Sequence, residues 1–317
     1  MASMAKQTIA PKTQPPEPAD AKTGAKPGFD RRNLITRVST ALVFAALFLS
    51  LLWFGGDASW GAPAYGLLMA ASIFAGVREM VLIARARGFN PQMGPALLVA
   101  WGVLAHFYLQ NGIEDPLPLW LVFGGGFFLI HFSALFFDKK LEEALPSQSI
   151  AWMGALLMGL GLGFQLKLFM LQGTLPRTGS RFILALYLIT WLGDTAAYFI
   201  GSAFGKHRLA PKVSPKKSWE GAAGNLLGNL LGGVIIKLWA CPQWTWVDAV
   251  ALSLLMGIAG QLGDLVESTW KRSAGVKDSN AGGVSIPGHG GLLDRVDSLL
   301  FAAPVLWAYA YFQFGFN

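Results

Sequence analysis

The stretch Trp246–Val266, WVDAVALSLLMGIAGQLGDLV, decides the fold. It is a predominantly apolar run of the roughly 20 residues that an α-helix needs to cross the hydrocarbon core of a bilayer. Its acidic residues lie near its ends, Asp248 at one and Asp264 at the other, and beyond it the chain turns polar at once with ESTWKRSAGVKD, Glu267–Asp278. This is the pattern of a membrane span that delivers a chemically active end to one surface.

The rest of the chain supports that reading. Of 317 residues, 53% are hydrophobic and only 14% charged, against roughly 25% charged in an average soluble domain. A large soluble protein would need amphipathic surface helices, and almost none can be found. Twelve Trp and 22 Phe fit the aromatic enrichment of membrane interfaces. The single cysteine, Cys241, excludes an internal disulfide and reads as a packing residue. A net charge of +7 is better explained by basic loops on one face of a membrane protein than by nucleic acid, so no nucleic-acid partner is expected.

Residues 1–30 are rich in proline and lysine and poor in large apolar groups, and are expected to form a disordered cytoplasmic tail, not a signal peptide. Residues 31–317 are expected to form one all-α, polytopic membrane domain. Its apolar segments are 34–55, 61–83, 94–110, 117–137, 150–171, 181–201, 221–239, 246–266 and 298–315, about nine transmembrane helices. With the N-terminus inside, the basic residues sort themselves. The tail, the connection holding Arg85 and Arg87, the pair Lys139 and Lys140, the loop from Lys206 to Lys217, and the loop with Lys271, Arg272, Lys277 and Arg295 all fall on the cytoplasmic side. Outside loops keep Arg177 and Arg181 among the acids Asp57, Glu114, Asp115 and Asp248. Both motif-bearing regions, 191–221 and 260–297, then share the cytoplasmic face and can form one site.

In the first region, Asp194 lies well inside a span, where an ionisable group is costly unless it is paired or lines a wet cavity. A hydrogen-bonded helix-packing role is the plainer alternative. SPKKSWEG places Ser214, Lys216, Lys217 and Ser218 ahead of the next span, where free N–H groups and the helix dipole favour phosphate. Lysines at that edge can equally be orientation signals or lipid contacts.

In the second region, Asp264, Ser268 and Lys271 recur at i, i+4 and i+7 and so project from one helical face, while Gly260 and Gly263 would let another helix or a ligand approach. The face suits a metal ligand beside a phosphate binder, or else a solvated helix end with Glu267 and Arg272 in water. IPGHGGLLDRVD then reads as a glycine turn feeding a helix N-terminus, with Gly290 and Gly291 near phosphate oxygens and Asp294 and Asp297 as hard oxygen ligands for Mg2+. The aspartates could instead simply complement the helix dipole. His289 could act as acid, base or phosphate donor, or only fix the loop.

On these residues the chain resembles the phosphatidate cytidylyltransferases. STWKRSAGVKD, HGGLLDRVD, GDTAAY, SPKKSWEG and GQLGDLVES are similar to that family's motifs and stand in its order. The chain departs from the pattern at Trp270, where an aliphatic residue is usual, at Ser218, where Thr is usual, and in SNAGGVSI, which is a few residues longer than the usual spacer.

The resemblance implies transfer of the cytidylyl group of CTP to phosphatidic acid, giving CDP-diacylglycerol and pyrophosphate for phospholipid synthesis. It implies Asp264 and Asp294 as metal-binding aspartates, to which the spacing adds Asp297, and it makes Lys217 and Lys271 catalytic together with Asp264 and Asp294. The CTP-binding environment then comprises Ser214, Lys216, Ser218, Ser268, Arg272, Lys277, His289, Gly290, Gly291 and Arg295. The expected cofactor is Mg2+, with room for a second, monovalent cation. Expected partners are CTP, phosphatidic acid, membrane lipids and a second copy of the chain in a homodimer. The expected location is a bacterial inner membrane with the site facing the cytoplasm.

Two other functions fit parts of the pattern. A CTP-dependent polyprenol or lipid kinase would release CDP instead of pyrophosphate. An anionic-metabolite transporter would tend to show internal repeats and a site near the midplane, whereas no repeat is visible and the charged motifs sit at one edge.

Overall fold

The computed structural model describes residues 31–110, 115–137, 140–280 and 290–315. The tail 1–30, Glu114, Lys139, His289 and most of the SNAGGVSI spacer lie outside the described residues.

Among the described residues, each apolar segment forms one helix: α1 (Arg31–Gly55), α2 (Gly61–Arg85), α3 (Met93–Leu109), α4 (Leu119–Phe137), α5 (Leu141–Phe169), α6 (Thr178–Phe204), α7 (Trp219–Trp239), α8 (Trp246–Ser273) and α9 (Leu293–Phe314). Six of them, α2 and α4 to α8, are long and apolar enough to cross a membrane. The stretches Ser39–Gly55 and Met93–Leu109 are apolar but shorter. Large apolar side chains face outward along the bundle, among them Leu47, Trp120, Phe128, Leu135, Tyr198 and Phe312, as lipid requires and water would not. The interior is packed by Tyr65, Ile73, Met158, Leu162, Leu166, Phe182, Ile189 and Leu306, with Tyr65 stacked on Phe169 at 4.4 Å between ring centroids.

Three features depart from the sequence expectation. First, α5 begins at Leu141 and α9 at Leu293, each several residues ahead of its apolar core. Helical backbone bonding extends past the hydrophobic run, and only that run is visible to hydropathy. Second, the 202–220 connection contains a two-stranded antiparallel hairpin, β1 (Arg208–Ala210) and β2 (Ser214–Ser218), with Arg208 opposite Ser218. Strands this short carry no readable alternation. Third, Asp248 is a buried cap and not a loop acid. Its backbone N–H donates to Thr245 Oγ1 (3.1 Å), and its carboxylate accepts from Thr245 N (2.7 Å) and from the Tyr309 hydroxyl of α9 (2.7 Å).

The Tyr309 bond pins one end of an antiparallel α8–α9 pair. The other end closes because glycines remove side-chain thickness. A Cβ on Gly263 would sit 2.7 Å from the Asp297 carbonyl oxygen, so no larger residue fits without moving α9. The same device joins α6 to α7: a Cβ on Gly224 or Gly232 would sit 2.8 Å from Ile200 or from the Ile189 backbone. Small residues that let helix backbones approach are the usual means of helix association in lipid. Here they bring the polar ends of α6, α7, α8 and α9 together.

Candidate active site

The site forms where those four helix ends meet the hairpin. Asp264 and Glu267 on α8 and Asp297 on α9 each offer a carboxylate oxygen, and these oxygens lie within 4.8 Å of one another. Ser268 Oγ donates to Asp264 at 3.3 Å, and Asp297 accepts from the Ser298 amide at 2.7 Å. Lys217, on β2, is ion-paired with Asp264, so the hairpin is docked on α8. Lys271 is buried between two carboxylates, bonded to Glu267 at 2.5 Å and ion-paired with Asp294.

A second polar network adjoins the first. Asn225 of α7 donates to Asp194 (3.1 Å) and accepts from Asn229 (2.6 Å) and from Gln261 of α8 (3.1 Å). Asp194 lies within electrostatic reach of Asp264 and Lys217.

The carboxylates of Asp194, Asp264, Glu267, Asp294 and Asp297 outnumber the ammonium groups of Lys217 and Lys271 that are paired with them. Buried, uncompensated carboxylates repel one another strongly in a low-dielectric interior. Oε1 of Glu267, 2% exposed as a residue, has no hydrogen-bond partner among the described residues. Three converging carboxylates, one with an orphaned oxygen, are the hard donor set that a small divalent cation prefers. The residues present therefore fit such an ion, which Asp264, Glu267 and Asp297 would hold.

Glu267 was not among the residues singled out in the sequence, where it could pass for part of a solvated helix end. It is buried because α8 turns that face toward α9. Asp294, read as a metal ligand beside Asp264, is engaged otherwise: it faces Lys271 and accepts from the Ser279 amide at 3.0 Å. The difference is one of phase. Asp294 and Asp297 are separated by nearly a full helical turn, and α9 approaches α8 so that Asp297 meets Asp264 while Asp294 meets Lys271.

The notion that the glycine turn hands phosphate to the α9 N-terminus needs correction for its first two amides. The N–H groups of Leu292 and Leu293 both donate to the Glu79 carboxylate of α2, each at 2.8 Å. Gly291 is also taken up internally: a Cβ there would sit 2.9 Å from both Asp294 Oδ2 and Glu79 Oε2. Glu79 is fully buried. A charge within a span costs on the order of 3 kcal/mol. Three hydrogen bonds to it, the third from Ser279 Oγ at 2.7 Å, contribute about 1.5–3 kcal/mol each if it is ionised, so the group is held firmly. The depth rule that drew attention to Asp194 applies equally to Glu79, and that signal was missed.

The remaining candidates divide. Ser218 is buried, and its hydroxyl accepts from Gly221 N at 3.1 Å as the N-cap of α7, so this oxygen has a structural task. Ser214 is half-buried on β2, and Lys216 is exposed beside it. Arg272 donates to the Val276 carbonyl at 2.9 Å and closes the turn after α8. Lys277, Asp278 and Arg295 are exposed, and Gly290 holds a positive φ of 81°. His207, not singled out in the sequence, bonds Glu220 at 2.6 Å and fixes the hairpin to α7.

Residues 35–313 match the model of the cytidylyltransferase family. A phosphatidate cytidylyltransferase of Brucella suis biovar 1 is 34% identical over 277 residues, covering 87% of this chain and 93% of the relative. One from Staphylococcus saprophyticus is 33% identical over 216 residues, 67% of this chain and 77% of the relative. One from Staphylococcus epidermidis reaches 44% identity over 128 residues, 40% of this chain and 48% of the relative. The chain belongs to the cytidylyltransferase family.

Proposed function

We propose that this protein is a membrane-embedded phosphatidate cytidylyltransferase. The phosphate of phosphatidate attacks the α-phosphorus of CTP, forming the new P–O bond of CDP-diacylglycerol while the bond to pyrophosphate breaks. The observation that carries this reading is the convergence of Asp264, Glu267 and Asp297 with Lys217 and Lys271, contributed by the hairpin, α8 and α9. Family membership and the names of the relatives support the substrates.

Displacement at phosphorus needs mostly positioning and charge neutralisation. The nucleophile is already anionic, so no strong general base is required. Asp264, Glu267 and Asp297 would hold a divalent cation, which would neutralise phosphate charge and favour pyrophosphate departure. Lys217 holds Asp264 toward the hairpin, and Lys271 pairs with both Glu267 and Asp294. Lys216, exposed on β2, gives the nucleotide phosphates a cation at the rim.

The same reading places the N-terminus and the site on the cytoplasmic side, with all nine helices crossing. The basic loops support that orientation, and CTP is available there. Such a site at a membrane edge can reach a soluble nucleotide and a lipid headgroup together.

The test is to incubate detergent-solubilised protein with CTP, phosphatidate and Mg2+. Pyrophosphate and CDP-lipid should form together. Release of CDP would select a lipid kinase instead, and no metal-dependent product at all would reject the assignment.

A further inference from the structure

We infer that Glu79 is a positioning residue of the proposed site, fixing from α2 the approach of α9 and so the placement of Asp294 and Asp297. This rests on the cytidylyltransferase reading above. Glu79 belongs to none of the charged motifs and stands far from them in sequence, yet its carboxylate joins both sides of the 277–293 connection. Oε1 accepts the Leu292 amide at 2.8 Å, and Oε2 accepts the Leu293 amide at 2.8 Å and the Ser279 hydroxyl at 2.7 Å. Ser279 also gives its amide to Asp294, and Asp294 is ion-paired with Lys271, which holds Glu267. A continuous polar chain therefore runs from Glu79 through Ser279, Asp294 and Lys271 to the carboxylate cluster.

The chemistry explains why a carboxylate stands there. The first amides of a helix have no intrahelical acceptor, and an anion at that end also meets the positive end of the helix dipole. A side chain on α9 itself could satisfy these amides without fixing α9 to anything. A carboxylate from α2 satisfies them and ties α9 to a neighbouring helix in the same step. Gly291 completes the arrangement, since a side chain there would displace Glu79 or Asp294.

The experiment uses the full chain in detergent or nanodiscs, with Glu79→Gln, Ser279→Ala and the double variant. Gln keeps the shape but turns an N–H2 group toward a donor. In the metal-free protein, amide hydrogen exchange across residues 290–297 should quicken in Glu79→Gln. In the assay, kcat should fall roughly 10–100-fold, as for groups that orient metal ligands, with KM for phosphatidate unchanged and half-activation shifted to higher Mg2+. Ser279→Ala should fall less, and the two losses should not add, because one chain of contacts carries both.

Wild-type exchange and kcat in both single variants would overturn the inference. Should Glu79→Gln not fold, Ser279→Ala decides: a lower kcat at constant KM supports the inference, and wild-type kinetics rejects it. Asp264→Asn is the control for the underlying reading. If it keeps full activity, the site itself is misplaced. If it is inactive while the Glu79 and Ser279 variants behave as wild type, only the positioning role fails.

Discussion

Lys217 on the hairpin is ion-paired with Asp264 on α8, so opposite charges hold the loop between α6 and α7 against the carboxylate cluster. Neither residue is on the surface alone: both are only partly exposed, at 27% and 36% of their side chains. The pair connects the two motif-bearing regions of the chain and sets the lysine-rich strand beside the carboxylate cluster.

Removing that lysine should act on the nucleotide. Lys217→Ala is expected to lower kcat/KM for CTP by about 100–1,000-fold, in the range seen when one preorganised charge-stabilising donor is lost. KM for phosphatidate should change little, and Lys217→Arg should recover part of the loss. Steady-state kinetics with each substrate varied in turn checks this, and a raised KM for phosphatidate with unchanged kcat and KM for CTP would count against it.

The two sets of carboxylates should separate in their response to metal. Glu267→Gln and Asp297→Asn remove oxygens from the converging cluster, so each should raise the Mg2+ concentration for half-maximal activity by at least about tenfold. Asp294→Asn, which faces Lys271 and Ser279, should lower kcat with a smaller shift in Mg2+ requirement. A metal titration of pyrophosphate release distinguishes them, and the reverse order would make Asp294 the ligand.

Gly263 should tolerate nothing larger. Gly263→Ala places a Cβ 2.7 Å from the Asp297 carbonyl oxygen, forcing α9 away and costing about 1–3 kcal/mol of overpacking. Gly260→Ala meets Ser298 Cβ at 3.4 Å and should be nearly neutral. Thermal unfolding in detergent, read beside activity, should show loss only in the first.

Ser218 tests whether a hydroxyl caps a helix or binds substrate. As the α7 cap, its loss in Ser218→Ala should cost about 1 kcal/mol of stability, and Ser218→Thr should keep both stability and activity. A loss of CTP affinity in Ser218→Ala with unchanged stability would return the residue to the nucleotide.

The sequence by itself determined the helices and the polar segments that adjoin their ends. Each apolar segment became a helix because helix formation in lipid is a local matter: a run without charges must satisfy its backbone internally. The grouping of Asp264, Ser268 and Lys271 on one face was legible for the same reason, since helical period is local, and the closely packing role of Gly263 followed from its position beside them. The hairpin was not legible, because two strands this short leave no periodic trace.

Only the tertiary structure decided which charges meet. It exchanged Asp294 for Glu267 in the converging cluster, gave Lys217 and Lys271 carboxylate partners, and brought Glu79 from α2 to the first amides of α9. These pairings depend on the rotation and closeness of neighbouring helices, which the glycines of α7 and α8 permit but no single segment encodes. A charge within a span announces that it needs a partner, and the packing of distant helices decides which partner it gets.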